Sequence, residues 1–208
     1  MDKLWTRVRA LCSSTSRGSV MSPVPGGIVR LPEGGLRLVS SYLLDIRPVS
    51  NADYARFIEA TGAERPPWMH RPGFGDPEQP VVGITLGQAR RYARWAKKRL
   101  PTPVEWLRAG IGRDQRPYPW GESQPNLALA HFGRGKKGAP SPVEDVASRR
   151  AGGRGPFGHF DLLGNVWEWC TDGVARGGFW GSETLDIGLN LNAEAQTVSG
   201  GIGFRCAR

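Results

Sequence analysis

The side chains able to hold a metal or move a proton are few and scattered. Three cysteines, Cys12, Cys170 and Cys206, and three histidines, His70, His131 and His159, are spread over 208 residues. No two histidines stand at the H-x3-H spacing that puts a pair of imidazoles on one helix face, so each reads as a loop or structural residue. Paired carboxylates occur at Glu144 with Asp145, and three positions apart at Glu183 with Asp186. Such pairs do acid–base work only where a pocket raises one pKa above the other, and neither context predicts burial. No glycine-rich loop opens a helix, which argues against a phosphate cradle. The most organised chemistry lies in GSETLDIGLNLNAEAQTVSGG (181–201), where Leu185, Ile187, Leu189 and Leu191 alternate with Asp186, Gly188, Asn190 and Asn192. A period of two predicts a strand with one buried and one wet face. The wet row holds no His, Cys or Lys. Small polar groups over a fixed apolar ladder describe a display surface rather than a reaction centre.

The rest of the chain must position that segment. Its length suits one large domain or two small ones, and 39% hydrophobic residues with eight Trp suffice for a real core. Twenty-nine Gly and 17 Pro mark many turns without a repeat, which excludes collagen-like and simple disordered classes. The net charge of +9 raises a nucleic acid or an acidic partner. The excess is scattered Arg, densest at GRGKKG (133–138) and from Arg149 and Arg150 to Arg154, in Gly/Pro-rich sequence. That is a solvated loop, and a nucleic-acid partner is not expected. Three cysteines make no disulfide framework. Cys170 and Cys206, which close related segments, are the one pair a disulfide could join, against the tendency of a cytosolic chain. The start, MDKLWTRVRALCSS, has charges inside its apolar stretch and lacks a cleavage site of small residues, unlike a signal peptide. No apolar run reaches 18 residues, so no membrane span or membrane partner is expected, and the expected location is cytoplasmic.

Residues 1–22 read as an N-terminal extension with one amphipathic turn (Leu4, Trp5, Val8, Leu11), either frayed or a short packing helix. Strand-like segments follow at 28–31 and 36–46. Three helix starts carry capping chemistry. Ser50 with Asp53 at N3 opens 50–62, and Gly62 ends it. Thr85 with Gln88 opens 85–101, stopped by Pro101. Thr102 with Pro103 and Glu105 opens 102–110, ended by Gly110. Residues 113–158 are mostly turns, pinned by Tyr118, Trp120 and Phe132. Short antiparallel strands are expected at 166–170, 178–180, 185–191 and 202–207, giving an α+β fold.

Six segments in register resemble the formylglycine-generating enzyme (sulfatase-modifying factor) domain: PVSNADYARFIEATG (48–62), PVVGITLGQARRYARWAKKRLPTPVEW (80–106), YPWGE (118–122), GHFDLLGNVWEWCTD (158–172), RGGFW (176–180) and GFRCAR (203–208). The resemblance implies a C-type lectin-like core decorated with loops over residues 23–208. Enzymes of that family oxidise a substrate cysteine with copper held by two cysteines between the RGG-x-W segment and the GFR close. Residues 181–201 contain no Cys, Met or His, and Cu(I) needs soft thiolates. A second branch, the sulfoxide synthases, takes iron on histidines supplied largely by a separate helical domain, for which this chain has neither the histidines nor the room.

A third branch fits better. The variable proteins of diversity-generating retroelements use this domain for binding, exchanging selected residues between RGG-x-W and G-F-R while the apolar ones stay fixed. The resemblance then implies a non-catalytic protein that takes a protein ligand, without a cofactor beyond a structural calcium. The displayed residues would be Gly181, Ser182, Glu183, Asp186, Gly188, Asn190, Asn192, Glu194, Gln196, Ser199 and Gly200, with Trp180 either an aromatic anchor or a core residue. Leu185, Ile187, Leu189, Leu191, Val198 and Ile202 would be buried. The acidic members, Glu183, Asp186 and Glu194, favour a cationic or hydrogen-bonding patch on the ligand. The alternative is an oxidoreductase acting on protein cysteine. Gly164 and Asn165 suit a tight turn that sets Trp167 and Trp169 on one strand face and Glu168 on the other. In the resembled enzymes the position of Glu168 helps hold calcium. Here the carboxylate could instead accept indole or backbone N–H groups or pair with Arg205. A second family calcium site uses an Asn where this chain has His131.

Overall fold

The computed structural model describes residues 19–135 and 153–208. The amphipathic turn at 4–11, Cys12, Glu144, Asp145, Arg149 and Arg150 lie outside them, as do residues 136–138 of the basic run. Among the described residues no helix is long and apolar enough to cross a membrane.

The chain opens with a long, kinked hairpin. Strand β1 (Met21–Val24) pairs with β4 (Tyr42–Asp45), and β2 (Gly27–Arg30) pairs with β3 (Leu36–Val39). The alignment is the same on both sides of the kink, since Val24 faces Tyr42 and Gly27 faces Val39. The stretch expected as one strand, 36–46, is therefore broken at Ser40 and Ser41. The cause is Pro25, which has no N–H to give a ladder, together with Gly26, whose N–H goes to Ser41 Oγ at 3.0 Å. Arg108 clamps the kink, donating to the carbonyls of Pro25 at 3.2 Å and Gly26 at 3.0 Å. β1 begins at Met21, inside the segment read as an extension.

Helix α1 (Asn51–Thr61) has the expected capping box, with Ser50 and Asp53 reciprocally bonded, and ends at Gly62 in the left-handed region. A short 3-10 turn, Pro67–His70, follows. Helix α2 (Leu86–Trp95) is capped by Thr85 and Gln88 as expected but stops well before Pro101. Lys97 takes φ 57, Lys97 N donates to Arg94 O, and Lys98 N donates to Ala93 O at 2.8 Å. This is a Schellman close with Lys where Gly is usual. It frees Arg99 to exchange backbone hydrogen bonds with Ala207 at 2.9 and 2.7 Å. Helix α3 (Pro103–Ile111) has the Thr102–Glu105 box but ends at Gly112. Gly110 lies inside it because Ile187 packs there, its Cδ1 only 2.7 Å from where a Cβ would stand.

A four-stranded sheet, ordered β7 (Asn190–Leu191), β6 (Ala175–Arg176), β5 (Trp167–Trp169), β8 (Ile202–Gly203), closes the molecule. β5 and β8 run parallel, against the expectation of an all-antiparallel region, and the strand expected at 178–180 lies instead at 175–176. Two apolar cores flank this sheet. One gathers Tyr54, Phe57, Tyr92, Trp169 and Phe204 beneath α1 and α2. The other gathers Val24, Val29, Leu44, Trp106, Leu162 and Leu163 between the hairpin and α3. Tyr118 and Trp120, stacked at 5.6 Å, pack on the second core with Phe132, as expected of pins for the turn-rich region.

Candidate functional site

The residues below the C-terminal segment are locked first. Gly164 and Asn165 make the expected turn, with Asn165 at φ 59 and its N–H on His131 O at 2.8 Å. β5 then sends Trp169 into the first core, its indole N–H on Ile84 O at 2.7 Å. Glu168 goes the other way and is as buried as its neighbour. Its Oε2 accepts from Trp106 Nε1 at 2.8 Å and from Arg205 Nε at 2.7 Å, while Oε1 accepts from Arg205 Nη2 at 2.6 Å. The remaining reach of Arg205 goes to the carbonyls of Phe160 at 2.7 Å and Asp45 at 3.2 Å. Next to it, Asp45 accepts from Lys98 Nζ at 2.5 Å and from Cys206 N at 2.9 Å. Burial pushes the carboxyls of Glu168 and Asp45 up, and the attraction of Arg205 and Lys98 respectively works against that rise. His159, fully buried beside this network, is pushed down to about 3 by burial first and by Arg205 second, so its ring is neutral.

This donor set does not suit calcium. A hard cation asks for free carboxylate and carbonyl oxygens, and both oxygens of Glu168 already serve the Arg205 guanidinium and an indole. Nor does it suit copper. Residues 181–201 offer no thiolate, and the two described cysteines are buried and unpaired. Burial pushes the Cys170 thiol up to about 12 and the Cys206 thiol well above its ordinary value, which keeps them protonated. The disulfide that could have joined them is not formed. Among the described residues no group of three His, Cys, Asp or Glu side chains could hold an ion.

Above that base the segment 180–201 runs as a belt, not as the expected strand over 185–191. Trp180 is a core residue: its indole N–H meets Gly200 O at 3.3 Å and its ring meets Phe179 at 4.9 Å and Phe74 at 6.4 Å. Ser182 Oγ accepts from Phe179 N at 3.0 Å, and Ser182 O accepts from Gly133 N at 2.8 Å. Asp186 then breaks the ladder. Its Oδ1 takes Gly188 N at 2.7 Å and its carbonyl takes Leu189 N at 3.1 Å, turning the chain so that only Asn190 and Leu191 remain as strand. The apolar residues part company accordingly. Leu185 and Ile187 join the hairpin core, whereas Leu191 packs against the other. Ala195 O accepts from Leu86 N at the start of α2, and Ser199 O accepts from Gly83 N at 2.9 Å.

The expected display residues thus fall into three groups. Glu183, Asn190, Asn192, Glu194 and Gln196 are exposed, and their side chains stand clear of the core. Ser182, Asp186 and Ser199 point to backbone N–H groups and fix turns. The glycines serve the backbone. Gly200, expected outside, is buried under Trp68, whose Cζ3 lies 2.6 Å from where a Cβ would be. Val198, expected inside, is 47% exposed. The turn from Glu194 O to Thr197 N, at 2.8 Å, and the anchoring of Ser199 O to Gly83 swing it outward. Missed altogether was the aromatic wall beside the belt. Trp68 lies against Gly83 and Gly200, Arg71 covers its ring at 4.1 Å, and Phe74 joins it to Trp180. The PPWM run with its flanking glycines was the available signal.

A family model described as a sulfatase-modifying factor enzyme 1-like domain matches residues 14–208. The chain is 32% identical over 165 residues to hercynine oxygenase of Mycolicibacterium smegmatis, covering 64% of this chain and 37% of that protein. It is 35% identical over 166 residues to the inactive C-alpha-formylglycine-generating enzyme 2 of Bos taurus, covering 65% of this chain and 53% of the other. The chain therefore spans little more than a third to a half of these relatives' lengths. Variable protein 1 of Treponema denticola has a similar structure, with a TM-score of 0.70 at 18% identity, over 93% of this chain and 97% of that one.

Proposed function

The chain belongs to the family of sulfatase-modifying factor enzyme 1-like domains, and from that premise we propose that it is a non-catalytic ligand-binding protein. On a C-type lectin-like scaffold it presents Glu183, Asn190, Asn192, Glu194 and Gln196, with Asp186 and Val198 beside them, to a protein ligand in the cytoplasm. One observation carries this reading. The backbone of the belt is tied down at Ser182, Leu189, Ala195 and Ser199, while Glu183, Asn190, Asn192, Glu194 and Gln196 between those ties are exposed and leave the core to Leu185, Ile187 and Leu191. Exchanging them costs little, since surface substitutions away from special backbone positions shift stability by less than about 0.5 kcal/mol. Such a surface can be diversified without refolding. The absence of soft ligands in 181–201 and the sealed thiols support a role without copper chemistry, as does likeness to a relative named as inactive. Glu183, Asp186 and Glu194 bias the surface towards a cationic patch on the ligand.

The test is a displayed library randomised at the five exposed positions and selected against a panel of folded proteins. The expected result is binders whose affinity is lost when those positions are returned to alanine. A library that yields no such binders overturns the reading, as does copper-dependent oxidation of a cysteine-containing peptide by the purified protein.

A further inference from the structure

The distal half of the hairpin carries an open strand edge that the C-terminal surface does not use. At the hairpin tip Leu31 N donates to Gly35 O at 3.1 Å. Hydrogen-bonded and non-bonded pairs alternate along an antiparallel ladder. The pairs Val29–Arg37 and Gly27–Val39 are therefore bonded, and Ile28, Arg30, Leu36 and Leu38 turn their N–H and C=O groups outward. On β2 two of those groups, Arg30 N–H and Ile28 C=O, are met. Gln115 Oε1 accepts from Arg30 N at 2.8 Å, and its Nε2 donates to Ile28 O at 3.1 Å. On β3 they are not. Leu36 O takes only the guanidinium of the adjacent Arg37, at 3.1 Å. Among the described residues nothing meets Leu36 N–H or either backbone group of Leu38.

The side chains along this edge are as exposed as its backbone. Ile28 faces Leu38 across the ladder and Leu36 faces Arg30, all on the outer side. Leu38 is 82% exposed, and Leu36 and Ile28 are each 57% exposed. The inner side is closed, with Val29 and Val39 buried in the core beside α3. Proteins ordinarily blunt such an edge with charge, proline or cover, and an uncovered one is a template for strand addition.

The geometry points to β3 as a docking edge for an extended segment of a partner protein in which apolar and acidic residues alternate. The period-two rule sets the chemistry. Residues opposite Leu36 and Leu38 stand on the outer side and meet leucine, so they are apolar. Residues opposite Arg37 stand on the other side, where an acidic group meets a guanidinium that has no carboxylate partner among the described residues. A second copy of the strand fits less well. The antiparallel register that sets Leu36 against the copy's Leu38 also sets Arg37 against Arg37, and like charges directly opposite are destabilising.

Fluorescence anisotropy on the full chain tests this with a labelled alternating Glu-Val peptide, its Lys-Val counterpart and a Glu-Val version interrupted by proline. The Glu-Val peptide should bind at least about tenfold more tightly than the other two. Leu38→Pro removes an outward N–H and leaves the ladder bonds in place. It should weaken binding by a similar factor with native-like thermal unfolding, and Leu38→Lys should do the same. Equal binding of the acidic and basic peptides overturns the proposal, as does binding unchanged in both variants. A concentration-dependent dimer that both variants dissolve would assign the edge to a second copy. Slow hydrogen exchange at the Leu36 and Leu38 amides of the free protein would mean that the chain itself covers it. Either result also overturns the proposal.

Discussion

Replacing Glu168 by Gln tests the base on which the ligand surface rests. The substitution keeps the shape of the side chain and removes its charge, leaving Arg205 fully buried with no carboxylate. Breaking one side of a buried ion pair costs about 3–5 kcal/mol, because the surviving charge is left uncompensated. At roughly 2–4 °C per kcal/mol for a chain of this size, Tm should fall by about 6–20 °C. Thermal unfolding followed by circular dichroism reads this directly. Parallel scans in millimolar calcium and in EDTA should superimpose for the native protein, because the guanidinium and the Trp106 indole already occupy both Glu168 oxygens. A Glu168→Gln variant melting within a degree or two of the parent would refute the reasoning. So would a calcium-induced rise in Tm that the variant lacks, which would return Glu168 to the role of an ion ligand.

Three further outcomes follow from the same geometry. His159 is held near 3 when folded and titrates at about 6.5 when unfolded, so between those values only the unfolded chain binds its proton. Stability should fall by about 1.4 kcal/mol per pH unit as pH drops from 6.5; urea titrations at stepped pH should show the slope, and His159→Leu should be flatter by that amount. Gly83→Ala combines φ +73 with a Cβ 2.1 Å from Trp68 Cδ1, and should cost about 2 kcal/mol or more; adding Trp68→Ala should recover part of the loss, whereas strict additivity would show that the indole is not the obstacle. Cys170 and Cys206, buried with raised thiol pKa values, should escape labelling by a thiol reagent until the protein unfolds, and peptide mapping that finds either labelled in the native state would contradict their burial.

What could be read before the fold was known is what depends on neighbours in sequence. The three capping boxes need only residues three apart, and Ser50, Thr85 and Thr102 all cap as their spacing indicates. The turn at Gly164 and Asn165 was also legible; for Glu168 the sequence left a calcium role, N–H acceptance and pairing with Arg205 all open, because nothing local says which distant group reaches an acid between two tryptophans. The ladder at 185–191 misled because alternation records which side chains are buried and not what buries them. Leu185 and Leu191 are drawn to different cores, and a chain passing between two cores can alternate without being a strand. The D-x-G of Asp186 and Gly188 was the contrary signal, an Asx turn outweighed by the apolar period. The early end of α2 could not be read, since Lys97 carries no mark of the left-handed region and only the pairing of Arg99 with Ala207 calls for it. The exposure of the leucines of β3 could not be read, because hydrophobicity alone does not say which side of a ribbon is covered.

The central claim is that the outward residues of the belt carry no part of the fold. The direct measurement is thermal unfolding of the protein with Glu183, Asn190, Asn192, Glu194 and Gln196 all changed to alanine. At less than about 0.5 kcal/mol for each site, the five together should cost under about 2.5 kcal/mol and leave one cooperative transition within about 10 °C of the parent. Loss of cooperative unfolding, or a fall in Tm of more than about 10 °C, would show that these side chains hold the structure together and are not free to vary for a ligand.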